Sequence, residues 1–350
     1  MELKDPRPES AEFIAETDTN TQNPVDRFQY TKSPNCRATG LVMPLAHSLV
    51  FRKRDRMLNA PLHTDSNPSV SVVGLGLMGT AITERLLDAG VQTFVWNRTR
   101  EKADHLIAQG ATWTDRPMAE SPRVILSLYS SDIVGEVLAR WKHDLVGPKI
   151  LIDTTTGDPQ ASIGFASALN DQGVAYLEAP ISGSSEQTRK GLATVIASGN
   201  RQAFDSCIDL WDILGTKRFY VGPSGSAARM KLVTNLVLGL NRAALAEGLA
   251  LAESMDIDLA NALEVLRGSG AYSLQMDTKG GKMIAGDYAP QARLSQHLKD
   301  VRLMLQSAEG SGLALPLTQA HRRLLELAES LGLGEHDNSA VFEAIRLRRP

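Results

Sequence analysis

Val70-Ser71-Val72-Val73-Gly74-Leu75-Gly76-Leu77-Met78-Gly79-Thr80 decides how the rest of the chain is read. Val70 to Gly74 predict a short buried strand, and three glycines follow at G-x-G-x-x-G spacing. An amphipathic helix is expected from about Leu77 to Asp88, with Ile82, Leu86 and Leu87 on one face, and Gly90 ends it. Thr93 to Trp96 then form a second strand. Strand, glycine turn, helix and strand in that order make a dinucleotide-binding unit. In such a unit Gly74 permits the tight turn, Gly76 lets a pyrophosphate approach bare backbone, and Gly79 lets helix and strand pack closely. The helix N-terminus adds unpaired N–H groups and a partial positive charge. Gly74, Leu75, Gly76, Leu77, Met78 and Gly79 are therefore the candidate phosphate cradle.

The second strand runs into Trp96-Asn97-Arg98-Thr99-Arg100. A site that prefers NAD places Asp or Glu here to accept from the ribose 2′-hydroxyl. Asn97, Arg98 and Thr99 stand there instead, and a guanidinium attracts a 2′-phosphate. The expectation is NADP as the preferred cofactor, with NAD possible.

With 350 residues the chain has room for two domains, and its net charge of -3 gives no reason to expect a nucleic-acid partner. No apolar run approaches the length of a membrane span. The two cysteines, Cys36 and Cys207, form no disulfide framework, which suits a reducing, cytoplasmic setting. Neither has metal-ligand spacing and the histidines are scattered, so no metal is expected.

Residues 1–66 are rich in Glu, Asp, Asn, Pro, Thr and Arg, and disorder is expected there. The early acids Glu2, Asp5 and Glu9 speak against a secretory or transit signal, Met43 and Met57 are further candidate starts, and Arg52-Lys53-Arg54 reads as a solvated linker. Residues 67–224 are expected to form an α/β Rossmann-type domain built on an open parallel sheet. Its further strands are placed at Val124–Leu128, Lys149–Asp153, Val174–Leu177, Ala193–Ala197 and Arg218–Val221. Ligands of such sheets bind beyond the carboxyl ends of the strands, where Ser127, Thr156 and Ser182 fall. Residues 225–350 read as an all-α domain that opens with one long helix, Gly225 to about Met255, apolar on every side. Such a helix is buried between domains or subunits, so a homodimer or homotetramer is expected.

Lys231 and Asn235, four apart, share a face of that helix. Spacing alone leaves two readings of Lys231 open. It is either a surface lysine or a buried one whose charge is disfavoured, which suits acid/base work.

From Ser69 to Arg346 the chain resembles the β-hydroxyacid dehydrogenase family, which includes 3-hydroxyisobutyrate dehydrogenase, and within it the glyoxylate/succinic semialdehyde reductases. Val73 to Gly79 with Trp96 to Thr99 is similar to the family's cofactor motif, and Ala179-Pro180-Ile181-Ser182-Gly183 to its substrate motif. Gly225 to Asn235 resembles its catalytic helix, His297-Leu298-Lys299-Asp300 its K-D motif, and Gly334 to Val341 its C-terminal signature. The resemblance implies hydride transfer between a nicotinamide and a small carboxylate-bearing aldehyde or hydroxyacid. It implies Lys231 as general acid/base with Asn235 beside it, and Ser182, Gly183 and Ser184 on the substrate carboxylate. It also implies Ser127, Thr156 and Lys299 near the cofactor. Ser184 departs from the commoner S-G-G form, Ala227 replaces a frequent glycine, and Ala292 an expected aromatic, which leaves the substrate open. Two alternatives are an imine reductase-like enzyme, which commonly carries Asp or Tyr in place of Lys231, and a non-catalytic scaffold lacking that lysine.

Overall fold

The computed structural model describes residues 69–347. The expected disordered extension over residues 1–66, with Cys36 and the basic run at 52–54, lies outside the described residues.

The sheet is built from β1 (Val70–Val73), β2 (Thr93–Trp96), β3 (Thr112–Trp113), β4 (Arg123–Leu126), β5 (Lys149–Asp153), β6 (Val174–Glu178), β7 (Ile181–Ser182), β8 (Ala193–Gly199) and β9 (Gly215–Tyr220). Its order is β3-β2-β1-β4-β5-β6-β8-β7, with β9 alongside β8. Strands β1 to β6 pair in parallel. Alternate residues of these strands feed two cores: Val72, Val95, Ile125 and Ile152 on one face, Val73, Val124, Leu126 and Leu151 on the other. That is why the strands read as unbroken apolar runs rather than as alternation. Helix α1 (Leu77–Asp88) buries Ile82 and Leu86 completely on the first of these faces. Each such side chain contributes about 1.5–3 kcal/mol by leaving water.

The parallel pattern does not run to the end of the sheet. β8 is antiparallel to both β6 and β7, and only the pair β8/β9 is parallel again. A parallel return needs a crossover of about a dozen residues or more. Between β7 and β8 the chain has only residues 183–192, with one short helix (Ser185–Arg189), so it folds back instead.

Beyond β9 the chain is helical: α2 (Ser226–Ser254), α3 (Leu259–Arg267), α4 (Leu294–Glu309), α5 (Pro316–Ala328) and α6 (Val341–Arg346). A separate core of Leu245, Leu249, Leu298, Val301, Leu325 and Phe342 holds them together. Two short helical turns, Met276–Gly280 and Gly281–Ala285, were not foreseen, because their glycines look like a loop in sequence. Helix α2 is buried along one side only. Met230, Val233, Val237 and Leu251 stand exposed on the remainder.

Helix α2 is tied to the sheet at its first turn. Glu178, the last residue of β6, accepts the Gly225 N–H at 2.6 Å and the Ser198 hydroxyl, and Ser198 Oγ accepts the Ala227 N–H at 3.0 Å. A carboxylate at a helix N-terminus is favoured by the exposed N–H groups and by the helix dipole. The link joins the end of β6 directly to the start of the helix that carries Lys231.

Candidate active site

The glycine loop has the architecture its spacing requires. Gly74 has φ +97°, and a Cβ there would lie 2.4 Å from the Ser127 carbonyl oxygen. At Gly79 a Cβ would lie 1.8 Å from the Gly74 carbonyl oxygen, so helix and turn are in backbone contact. A Cβ built on Gly76 would meet no other group within 4 Å, and the residue is exposed at the start of α1. No side chain caps that helix, so its first N–H groups face the opening. The loop is therefore closed to extra atoms from behind and open in front, which fits a dinucleotide pyrophosphate. Leu75 is buried beneath it, while Leu77 and Met78 are half-buried.

Asn97 fixes the loop from the neighbouring strand. Its Oδ1 accepts the Leu75 N–H at 2.9 Å and its Nδ2 donates to the Thr99 carbonyl at 2.8 Å. Both ends of the amide are thus engaged. Arg98 and Thr99 are exposed, and Arg100 lies over the Trp113 ring at 5.3 Å.

Ser127 and Thr156 follow β4 and β5 and are half-buried, so they reach the same edge as the glycine loop. The loop after β5 is braced from within: Asp153 accepts from the Thr155 N–H at 2.9 Å and the Tyr176 hydroxyl at 2.6 Å. Burial pushes the Asp153 carboxyl up to about 6. The helix cap before Pro159 is Asp158, which accepts from the N–H groups of Gln160 and Ala161. Thr156 is thereby released from capping, and its carbonyl accepts Lys299 Nζ at 2.6 Å. Lys299 also lies 3.1 Å from Asp300 and 5.5 Å from the centre of the Tyr129 ring. It spans from the helical domain to the strand-end loop.

Lys231 is 6 % exposed, and its Nζ donates to the Ile181 carbonyl at 2.7 Å. Ile181 precedes Ser182, so the ammonium lies against the strand that carries the S-G-S stretch. Burial pulls the Lys231 pKa from 10.5 to about 8, partly opposed by the charge of Asp300. Asn235, one turn on, donates to Asp300 at 2.9 Å. Asp300 is buried, which raises its carboxyl above the ordinary value despite Lys299 and Lys231 nearby. Sequence reasoning singled out Lys231, Asn235 and Lys299; Asp300, which links all three, was noted only as part of a motif.

Ser182 and Gly183 are half-buried at the end of β7. Ser184 has a further duty. Its hydroxyl accepts the Gln187 N–H at 3.1 Å and its own N–H donates to Gln187 Oε1 at 2.9 Å, a reciprocal cap of the helix Ser185–Arg189. Its backbone N–H is committed, and only the hydroxyl hydrogen remains for a ligand. The signal for this, Ser184 with Gln187 three residues later, was present in the sequence. The segment bearing Ala292 packs against the same loop: Ser185 Oγ donates to the Gln291 carbonyl at 3.2 Å, and Gln291 Nε2 to Glu186 at 2.7 Å.

Among the described residues no group of three His, Cys, Asp or Glu side chains could hold a metal ion, and no helix is long and apolar enough to cross a membrane. What the geometry gathers is a nucleotide cradle, a buried lysine of lowered pKa and a polar loop beside it. Residues 69–222 match the NAD binding domain of 6-phosphogluconate dehydrogenase, and residues 225–345 match the family described as NAD-binding of NADP-dependent 3-hydroxyisobutyrate dehydrogenase. The chain is 32% identical over 292 residues to glyoxylate/succinic semialdehyde reductase 1 of Arabidopsis thaliana, covering 80% of this chain and 99% of that protein. It is also 32% identical over 285 residues to the cytokine-like nuclear factor N-PAC of Drosophila melanogaster, covering 79% of this chain but 47% of that longer protein. The solved 3-hydroxyisobutyrate dehydrogenase of Salmonella typhimurium superimposes with a TM-score of 0.73 at 25% identity, over 79% of this chain and 99% of that one. The chain belongs to the 3-hydroxyisobutyrate dehydrogenase-like β-hydroxyacid dehydrogenase family of NAD(P)-dependent oxidoreductases.

Proposed function

We propose that the chain is an NADPH-preferring reductase of small carboxylate-bearing aldehydes, of the glyoxylate or succinic semialdehyde type, with Lys231 as its general acid. The observation that carries this reading is the placement of Lys231: buried, bonded to Ile181, one residue from Ser182, with a pKa lowered to about 8. A group poised near the operating pH is what proton transfer to a developing alkoxide requires.

The bound nicotinamide dinucleotide supplies the hydride. Gly74 to Gly79 and the first turn of α1 would hold its pyrophosphate, Arg98 would meet the 2′-phosphate, and Ser127, Thr156 and Lys299 would flank its reactive end. The Ser182 hydroxyl and Gly183 N–H bind the substrate carboxylate, with the Ser184 hydroxyl hydrogen in reach. Lys231 gives a proton to the carbonyl oxygen as negative charge builds on it, and takes one back in the oxidative direction. Asn235 acts through Asp300, which holds the lysine-bearing face of α2 against α4. The exposed apolar residues of α2 support assembly into a dimer or a larger homo-oligomer.

A non-catalytic role, which the likeness to a nuclear factor brings to mind, gives no reason for a buried lysine of this kind. Screening NADPH oxidation with glyoxylate, succinic semialdehyde, methylmalonate semialdehyde and tartronate semialdehyde tests the proposal. Turnover of one or more is expected. Turnover of a cyclic imine and of none of these acids would reverse the choice.

A further inference from the structure

Helix α2 continues past Asn235 to Gly239 and Arg242, at helical spacings of four and three, away from Lys231. Arg242 has no exposed surface, and Nε and both terminal nitrogens of its guanidinium have no hydrogen-bond partner among the described residues. His297 of α4 and His321 of α5 are 5 % and 3 % exposed, and the Nε2 atom of each also has no partner. The two rings lie 5.2 Å apart, both over Gly239: a Cβ there would stand 2.5 Å from His297 Nε2 and 2.8 Å from His321 Cε1. Three helices thus bring five unpartnered nitrogens, all fully enclosed, within Coulombic range of one another, the two imidazoles against a bare glycine.

The nearest carboxylate does not neutralise them. Asp337 sits within Coulombic range of Arg242, but its two oxygens already accept Lys279 Nζ at 2.8 and 2.9 Å. They also accept the N–H groups of Gln291, Ala292 and Ser339 and the Ser339 hydroxyl. Lys279 and Asp337 cancel each other, so the Arg242 charge is left without a counter-charge in a closed interior. Burial, together with the charge of Arg242, pushes both imidazoles to lower pKa, so at neutral pH each is uncharged and can present one N–H. A buried charge demands pairing, and a net charge of one with several convergent donors is matched by one monovalent anion.

We propose that Arg242, His297 and His321 enclose a single halide-sized anion in the core of the helical domain. With all three side chains sealed from solvent, a single-atom anion is the smallest group that supplies the missing counter-charge. Arg242 itself is remote from the reaction centre, since eleven residues of helix put it about 16 Å along the axis from Lys231, while His297 lies within Coulombic range of that lysine. It acts as an internal counter-ion that stabilises the packing of α2 against α4 and α5.

The test is thermal unfolding of the full chain in sodium gluconate exchanged for sodium bromide at constant ionic strength. Bromide at about 0.2 M should raise Tm by about 2–5 °C, by binding the folded state alone. Arg242→Met should remove that rise while retaining turnover. Crystals of the unaltered chain grown in bromide provide the second measurement, and an anomalous peak is expected within about 3.5 Å of the Arg242 guanidinium. A Tm indifferent to bromide together with no such peak would overturn the proposal and leave water as the occupant.

Discussion

Lys231 Nζ donates to the carbonyl oxygen of Ile181, fifty residues earlier in the chain and immediately before Ser182. The bond brings the proposed proton donor and the loop proposed for the substrate carboxylate to one place. It also makes the lysine the most informative residue to change. Lys231→Ala should lower kcat by about 10²–10⁴-fold, the usual contribution of a general acid. NADPH affinity should hardly change, because the pyrophosphate cradle lies at Gly74 to Gly79. Lys231→Arg should not rescue, since a guanidinium keeps its proton at neutral pH. A kcat for the alanine variant within about threefold of the parent would remove the acid from the mechanism.

The same lysine sets a pH dependence. Its pKa falls from 10.5 to about 8, so the protonated fraction declines as pH rises through about 8. Reduction, which needs the ammonium, should lose kcat/KM above that value, and oxidation of the hydroxyacid, which needs the free amine, should gain it. Profiles in both directions, taken over pH 6–10, should bend near the same point. Two profiles that rise or fall together would contradict the assignment.

On the proposed reading, cofactor choice rests on Arg98. Removing a charge-assisted contact to the 2′-phosphate costs about 1.5–3 kcal/mol, or roughly ten- to a hundredfold in affinity. Arg98→Ala should therefore weaken NADPH and leave NADH nearly unaffected. Titration by protein fluorescence with both nucleotides reads this directly, and equal losses for the two would refute it.

The two glycines at either end of the first α1 turn should behave differently. Gly79→Ala puts a methyl 1.8 Å from the Gly74 carbonyl and should lower Tm, because backbone must move. Gly76→Ala meets nothing within 4 Å, so its Tm should match the parent. Its defect should appear only on adding NADPH, as a loss of affinity. Calorimetry with and without nucleotide separates the two, and an unstable Gly76→Ala would show that the loop is not open in front.

Much of this was legible in sequence because local signals carried it. The glycine spacing, the apolar runs of β1, β4 and β5 and the long period of α2 each depend on neighbours within a few residues. The direction of β8 was not, since a run such as Ala193 to Ala197 reads the same whichever way its partner points. Lys231 was a candidate from the chain alone, but its burial was not, because burial depends on Ile181 and Asp300, far away in sequence. Glu178 passed unnoticed for the same reason: nothing near it in the chain shows that it will meet Gly225. The cluster of Arg242, His297 and His321 needs three helices in register before it exists at all.

The tie from Glu178 to the start of α2 separates two design problems. Lys231, the proposed proton donor, is registered by the nucleotide-binding half, through the ends of β6 and β8 and the Ile181 carbonyl. The segment around Ala292 belongs to the other half, where Asp337 holds it, and it meets the nucleotide-binding half at the loop beyond Ser184. Substitutions that reshape the pocket from that side can accumulate without displacing the acid. A fold wired in this way can exchange substrates while its chemistry stays in alignment.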